Sequence, residues 1–264
     1  MLKLDALRVV FNAGTPIANT ALDGLSLQVP AGQFVTVIGS NGAGKSTLLN
    51  VISGELAVDE GSIRIGDQEV GRLAAWRRAD YVARVFQDPL AGTCEDLSIE
   101  ENLALADARG RRRGLGRAVR RDRRDHYREQ LRLLDLGLEN RLEDPIGLLS
   151  GGQRQSVSLL MAALRPSRIL LLDEHTAALD PRTADYVLEL TRRLVKDKGL
   201  TTLMVTHSMR QALDIGDRLV MLHRGKVALD VAEPANRGLG VPDLLEMFQR
   251  VRSETVSDDA LLLD

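Results

Sequence analysis

Apolar positions along this chain fall into two textures. Short alternating or β-branched runs fill the first 88 residues and return after residue 166, and a helix-spaced stretch lies between them. Residues 2–11 alternate loosely and close on Val9-Val10-Phe11, which predicts a first strand; Asn12-Ala13-Gly14-Thr15-Pro16 then reads as a turn or loop. Leu25-Ser26-Leu27-Gln28-Val29 alternates cleanly up to Pro30 and predicts another strand. Phe34-Val35-Thr36-Val37-Ile38 is short, apolar and β-branched, the pattern of a buried strand. Ser62–Ile65, closed by Gly66-Asp67, predicts an antiparallel-type piece, and Tyr81–Phe86 ends at Gln87-Asp88-Pro89. From Ser98 to Leu164 the periodicity is helical, as in Leu131, Leu134, Leu136 and Leu138. Strand character returns at Ile169–Leu172, Thr201–Thr206 and Arg218–Leu222. A helix opens at Asp180-Pro181, with an N-cap residue and a first-turn proline.

This alternation predicts an α/β fold with a parallel central sheet, an N-terminal antiparallel β subdomain and an inserted helical subdomain. The expected boundaries are 1–88 and 166–230 for the core, 89–165 for the insertion and 231–264 for a C-terminal extension. Within the extension only a short amphipathic piece around Leu244-Leu245-Met247-Phe248 stands out, ahead of an acidic tail expected to fray.

Composition narrows the classes. Hydrophobic residues at 44% and charged residues at 27% of 264 are ordinary for a soluble globular chain, so a sizeable core is available. A net charge of −2 supplies no global pull toward nucleic acid or an anionic surface, and no nucleic-acid partner is expected. Cys94 is the only cysteine, which rules out an internal disulfide and a multi-cysteine metal site and fits a reducing cytoplasm. No apolar run is long enough to span a bilayer, and Met1–Asp5 lacks an apolar signal segment. Any work at a membrane needs another subunit to hold the chain there. Arg109–Arg124 carries nine arginines in sixteen residues. That run reads either as a patch for nucleic acid or lipid headgroups or as a solvated helix face, and no aromatic interleaves it.

Candidate chemistry centres on Gly39-Ser40-Asn41-Gly42-Ala43-Gly44-Lys45-Ser46-Thr47, which matches the phosphate-binding P-loop, G-x-x-x-x-G-K-[ST]. A buried strand precedes it and a helix, expected to stop near Gly54, follows; the motif needs that context. Glycines let successive N–H groups turn inward, and the helix N-terminus adds partial positive charge. Lys45 is placed to reach the β- and γ-phosphates and Ser46 to ligate Mg²⁺. A second apolar strand, Ile169 to Leu172, ends in Asp173-Glu174. A P-loop NTPase needs such a strand: Asp173 helps hold Mg²⁺, and Glu174, one residue on, polarises the attacking water.

Leu149-Ser150-Gly151-Gly152-Gln153-Arg154-Gln155 is a helix cap and also a second anion site on the same chain. Here the sequence resembles the ATP-binding cassette (ABC) family, whose signature reads LSGGQ, over roughly residues 4–230. The resemblance implies a head-to-tail homodimer in which Ser150, Gly151, Gly152 and Gln153 of one copy cap the γ-phosphate of ATP on the other copy's P-loop. It implies that Gln87 is the Q-loop glutamine, touching Mg²⁺ and water; that Asp180 reaches across the dimer as well as capping its helix; and that His207 contacts the γ-phosphate and steadies Glu174. Phe11 is the candidate adenine-stacking aromatic, with a core role as the alternative. His175 stands where the common pattern has proline.

The resemblance extends to bacterial importer ATPases that share runs like Glu174–Pro181 and Phe86–Thr93, some linked to uptake of tryptophan or related small molecules. What it implies is an Mg²⁺-dependent ATPase on the cytoplasmic face of the membrane, docked on integral permease subunits and served by a substrate-binding protein. An exporter ATPase remains open. Soluble translation ATPases of this family usually carry two cassettes, and the DNA-repair members need a coiled-coil insertion longer than anything between Gln87 and Ser150.

Overall fold

The computed structural model describes residues 1–111, 119–232 and 238–250. In chain order the first elements are β1 (Leu2–Phe11), β2 (Asn19–Val29), β3 (Phe34–Gly39), α1 (Lys45–Ser53), β4 (Glu60–Ile65), β5 (Gln68–Glu69), α2 (Ala75–Arg78) and β6 (Val82–Val85). Three α-helices follow: α3 (Ile99–Asp107), α4 (Arg121–Arg132) and α5 (Gly151–Leu164). Then come β7 (Ile169–Asp173), α6 (Pro181–Lys198), β8 (Thr201–Val205), α7 (Met209–Ile215), β9 (Arg218–His223) and β10 (Lys226–Ala232).

The strands form two sheets. One is antiparallel, in the order β2-β1-β4-β5. The other runs β10-β9-β3-β8-β7-β6 and is parallel except for β10, which returns antiparallel on β9. Strands of the parallel sheet are covered on both faces, which is why they read as continuous apolar runs. β7 shows the division. Ile169 and Leu171 join Leu48, Leu49 and Ile52 of α1 and the inner residues of β1, β2 and β4 in one core. Leu170 and Leu172 join Leu103, Leu131, Leu159 and Leu194 of the surrounding helices in the other. Residues 241–250 form a helical run that seats the fully buried Leu244 against Ile38 and Met221.

The observed strands follow the hydrophobic pattern closely except at β2, β5 and β10. β2 begins at Asn19, well ahead of Leu25. Its pairing with β1 shifts register between Leu4 and Leu7 and between Val9 and Val10. Ala6 and Gly24 also take φ of 46° and 69° there. Each irregularity changes which face the next side chain takes, so simple alternation is lost although pairing continues. β5 and β10 are not expected from the pattern: β5 is two exposed residues paired to β4, and β10 is an edge strand only half-buried along its length, so neither carries an apolar run. The arginines at 112, 113 and 117 and the acidic tail beyond 250 lie outside the described residues.

Candidate nucleotide site

The loop from Gly39 to Gly44 joins β3 to α1 in backbone conformations open mainly to glycine. Gly39, Gly42 and Gly44 have φ of 155°, 78° and 100°. A Cβ at Gly39 would collide with Leu222 O, and one at Gly44 would sit 2.5 Å from Ala21 O, so the loop is also closely packed. The turn between β9 and β10 supports it through Gly225 N–H, which donates to Ala43 O at 3.1 Å. Lys45 is 6% exposed and donates to Gly39 O at 2.8 Å and Ser40 O at 3.1 Å. Burial lowers its pKa, and the charges of Glu174 and Asp173 oppose that shift, so both carboxylates face the same ammonium.

Those carboxylates arrive at the carboxyl end of β7, beside the carboxyl ends of β8 and β3, where open α/β sheets bind their ligands. The chain leaves β7 with Glu174 at φ 46°, a conformation that costs a non-glycine residue energy and is held here by Glu174 N–H donating to Val205 O at 3.0 Å. His207 follows β8, and its Nε2 lies 2.7 Å from Glu174 Oε1. Glu174 is 13% exposed and His207 50%, so the carboxylate is held from the solvent side by a ring that water also reaches. A cleft is lined by Phe11, Asn19, the loop and helix start from Asn41 to Thr47, Glu174 and His207. Phe11 ends β1 opposite Asn19 and is 40% exposed.

The remaining expected site residues lie outside that lining. Ser40 contributes through its carbonyl. Asp173 is held from its own side: its Oδ2 accepts from Arg84 Nη2 at 2.6 Å. Gln87 is exposed just past β6. Ser150, Gly151, Gly152, Gln153 and Asp180 form a separate group at the facing N-termini of α5 and α6. Ser150 and Gln153 close a capping box: Ser150 Oγ accepts from Gln153 N–H at 3.3 Å, and Gln153 Oε1 accepts from Ser150 N–H at 3.1 Å. Asp180 caps α6 by accepting from Thr183 N–H at 3.1 Å; hydrogen bonding to the Thr183 side chain first, and to that N–H second, lowers its pKa. Gly152 is packed so tightly on Thr183 that a Cβ would collide with Thr183 Cγ2. The caps consume the side chains of Ser150 and Gln153 and leave the N–H groups of Gly151 and Gly152, the orphan donors of α5, for a ligand.

Two residues escaped the sequence reading. Arg84 pairs with Asp173, and its charge inside an apolar strand was the available signal. Gln155, 1% exposed on α5, donates to Phe86 O at 3.1 Å and so links the glycine-rich helix start to the segment before Gln87. His175 is fully buried and neutral: its Nε2 bonds Thr191 Oγ1 at 3.0 Å, and burial pushes its pKa down to about 4. Where it is described, much of the basic run is engaged by the chain itself. Arg123 pairs with Asp107 at 2.6 Å, Arg124 with Glu100 and Glu143 at 2.6 and 2.8 Å, and Arg109 donates to Ala162 O and Arg165 O.

Among the described residues no helix is long and apolar enough to cross a membrane. Residues 22–177 match the family model described as ABC transporter. The chain is 46% identical over 231 residues to a tyrosine transport ATP-binding protein of Clostridioides difficile (strain R20291), covering 88% of this chain and 92% of that one. It is 33% identical over 243 residues to an aliphatic sulfonates import ATP-binding protein, SsuB 1, of Rhizobium johnstonii, covering 91% and 82%. Among solved structures, the dimeric post-hydrolysis ATP-binding cassette MJ0796 bound to ADP and Pi is 29% identical, with a TM-score of 0.74 over 88% of this chain and 98% of that one. A P-loop cleft closed by a paired glutamate and histidine, on a fold shared with such cassettes, leaves one assignment: this chain belongs to the ABC transporter family and is an ATP-hydrolysing cassette.

Proposed function

We propose that this cassette powers a small-solute importer: two copies close head to tail over ATP at the cytoplasmic face of the membrane and drive integral permease subunits fed by a substrate-binding protein. The observation that carries the catalytic part is the 2.7 Å contact between His207 Nε2 and Glu174 Oε1 at the mouth of the P-loop cleft. Glu174 is then the group that polarises the attacking water, and His207 holds it in line while meeting the γ-phosphate. Lys45 exchanges the carbonyls of Gly39 and Ser40 for β- and γ-phosphate oxygens. The N–H groups of the loop from Ser40 to Thr47 cradle the same phosphates, and Phe11 stacks on the adenine. From the other copy, the Gly151 and Gly152 N–H groups with Ser150, Gln153 and Asp180 complete the γ-phosphate cage.

The donor set suits a magnesium ion carried in by the nucleotide. Ser46, Gln87 and Asp173 offer hard oxygen atoms, and the described residues hold no cluster of His, Cys, Asp and Glu that would bind a metal alone. When bound, the ion neutralises developing charge on the β- and γ-phosphate oxygens. The solute is read from the relatives: the 46% identical one is named for tyrosine transport, which supports an amino acid with an aromatic side chain.

Glu174→Gln tests the proposal. Steady-state ATP turnover is expected to fall by roughly 10²–10⁴-fold with nucleotide binding retained. The same protein, tagged, is expected to recover a multispanning permease from detergent-solubilised native membranes. Near-normal hydrolysis refutes the base assignment. Recovery of ribosomes or nucleic acid without a membrane protein refutes the transport role, and a permease without any binding protein points to export.

A further inference from the structure

β6 is an apolar strand with one charged residue, Arg84, whose side chain is only 10% exposed. Charge in that position costs desolvation unless it is paired, and the pairing shows where the charge is used. Arg84 Nη2 donates to Asp173 Oδ2 at 2.6 Å. Arg84 Nη1 donates to Asn50 Oδ1 and to Glu55 Oε2, each at 2.8 Å. The guanidinium also lies 4.8 Å from the centroid of the Phe86 ring, directly before Gln87. One side chain therefore ties together the helix that follows the P-loop, the carboxylate that ends β7 and the segment leading to Gln87.

The adjacent carboxylates Asp173 and Glu174 both bear on Lys45, yet each has its own orienting partner: Arg84 for the first and His207 for the second. Separate partners let neighbouring carboxylates keep separate tasks. Glu55 is 45% exposed, so its ion pair with Arg84 contributes little by itself; Asp173 is 16% exposed and makes the shorter contact. From this we propose that Arg84 is a positioning residue for Asp173, locking Oδ2 so that Oδ1 is presented toward the magnesium ion of bound Mg-ATP. The proposal rests on Asp173 serving that ion, as set out above. Outer partners of this kind set the orientation of a metal-binding carboxylate, and removing them typically weakens metal binding by about 10–100-fold.

The test measures binding rather than turnover. Affinity for a fluorescent mant derivative of the non-hydrolysable analogue AMP-PNP is titrated with Mg²⁺ and again in excess EDTA, for the wild-type chain, Arg84→Met, Arg84→Lys and Asp173→Asn. The ratio of the two affinities isolates the metal's share. Arg84→Met is expected to cut that ratio by about tenfold while leaving the EDTA affinity within about twofold of wild type, because the P-loop is untouched. Arg84→Lys keeps a charge but not the fork and is expected to lose less. Should Arg84→Met fail to fold, Arg84→Lys carries the same comparison. If Arg84→Met lowers both affinities equally, the arginine is only a staple between elements and the proposal is overturned. If Asp173→Asn loses the ratio and the Arg84 variants keep it, Arg84 plays no part and Asp173 stands. If Asp173→Asn keeps the ratio, the underlying reading of Asp173 is wrong and the proposal falls with it.

Discussion

The His207–Glu174 pair allows a quantitative prediction through a double-mutant cycle. The contact is 2.7 Å long, and a hydrogen bond to a charged partner contributes about 1.5–3 kcal/mol. Water reaches His207, which is half-exposed, and competes for the carboxylate, so the lower end applies. At 1.4 kcal/mol per factor of ten, His207→Ala is expected to slow turnover by about tenfold at saturating ATP. Glu174→Gln is expected to slow it by roughly 10²–10⁴-fold. If the histidine works chiefly by holding the glutamate, the double variant loses clearly less than the product of the two single losses, its γ-phosphate contact accounting for any loss beyond that of Glu174→Gln. Phosphate release gives the rates, and nucleotide binding measured separately keeps affinity out of the comparison. Losses that multiply would mean His207 acts independently of Glu174, and the pairing would lose its catalytic meaning.

Three further predictions concern the frame around the site. Arg78 is 2% exposed and donates to Val51 O, to Ile52 O at 3.4 Å, to Leu73 O at 2.9 Å and to Gly71 O at 2.6 Å, closing the end of the P-loop helix. Arg78→Met strands those carbonyls and is expected to cost about 3–5 kcal/mol in urea unfolding with an unchanged slope; a loss below about 1 kcal/mol would contradict this account. Gly152→Ala drives a Cβ into Thr183 Cγ2 and is expected to cost about 1–3 kcal/mol, with Thr183→Ser restoring most of it because only the methyl is in the way. No rescue would place the strain elsewhere. His175 is buried with its pKa lowered to about 4 from 6.5, so the unfolded chain binds the proton more readily. Its contribution is complete above pH 6.5 and is lost as pH falls toward 4, amounting to about 2 kcal/mol between pH 7 and pH 5. His175→Leu should flatten that part of the stability profile, and an unchanged slope would rule the histidine out as its source.

What could be read from the sequence was whatever is decided over a few neighbouring residues. The glycines of Gly39–Gly44, the apolar run into Asp173-Glu174 and the caps at Ser150 and Asp180 are local signals, and each appears in the structure where the pattern puts it. Hidden from the sequence was the choice of partner across elements. A lone arginine in β6 announces that an acceptor lies nearby. That the acceptor is Asp173 depends on the parallel register that sets Val82 beside Ile169 and Arg84 beside Leu171, across a connection holding all three helices α3, α4 and α5. The basic run makes the same point in reverse. Locally it reads as a cationic surface, since its arginines crowd together without acids between most of them. Folding brings Asp107, Glu100 and Glu143 against Arg123 and Arg124, so the field over that part of the helix is set by carboxylates from other elements. A charge run therefore specifies a demand for counter-charge, and only the packing of neighbouring elements decides whether the chain itself or a partner molecule meets it.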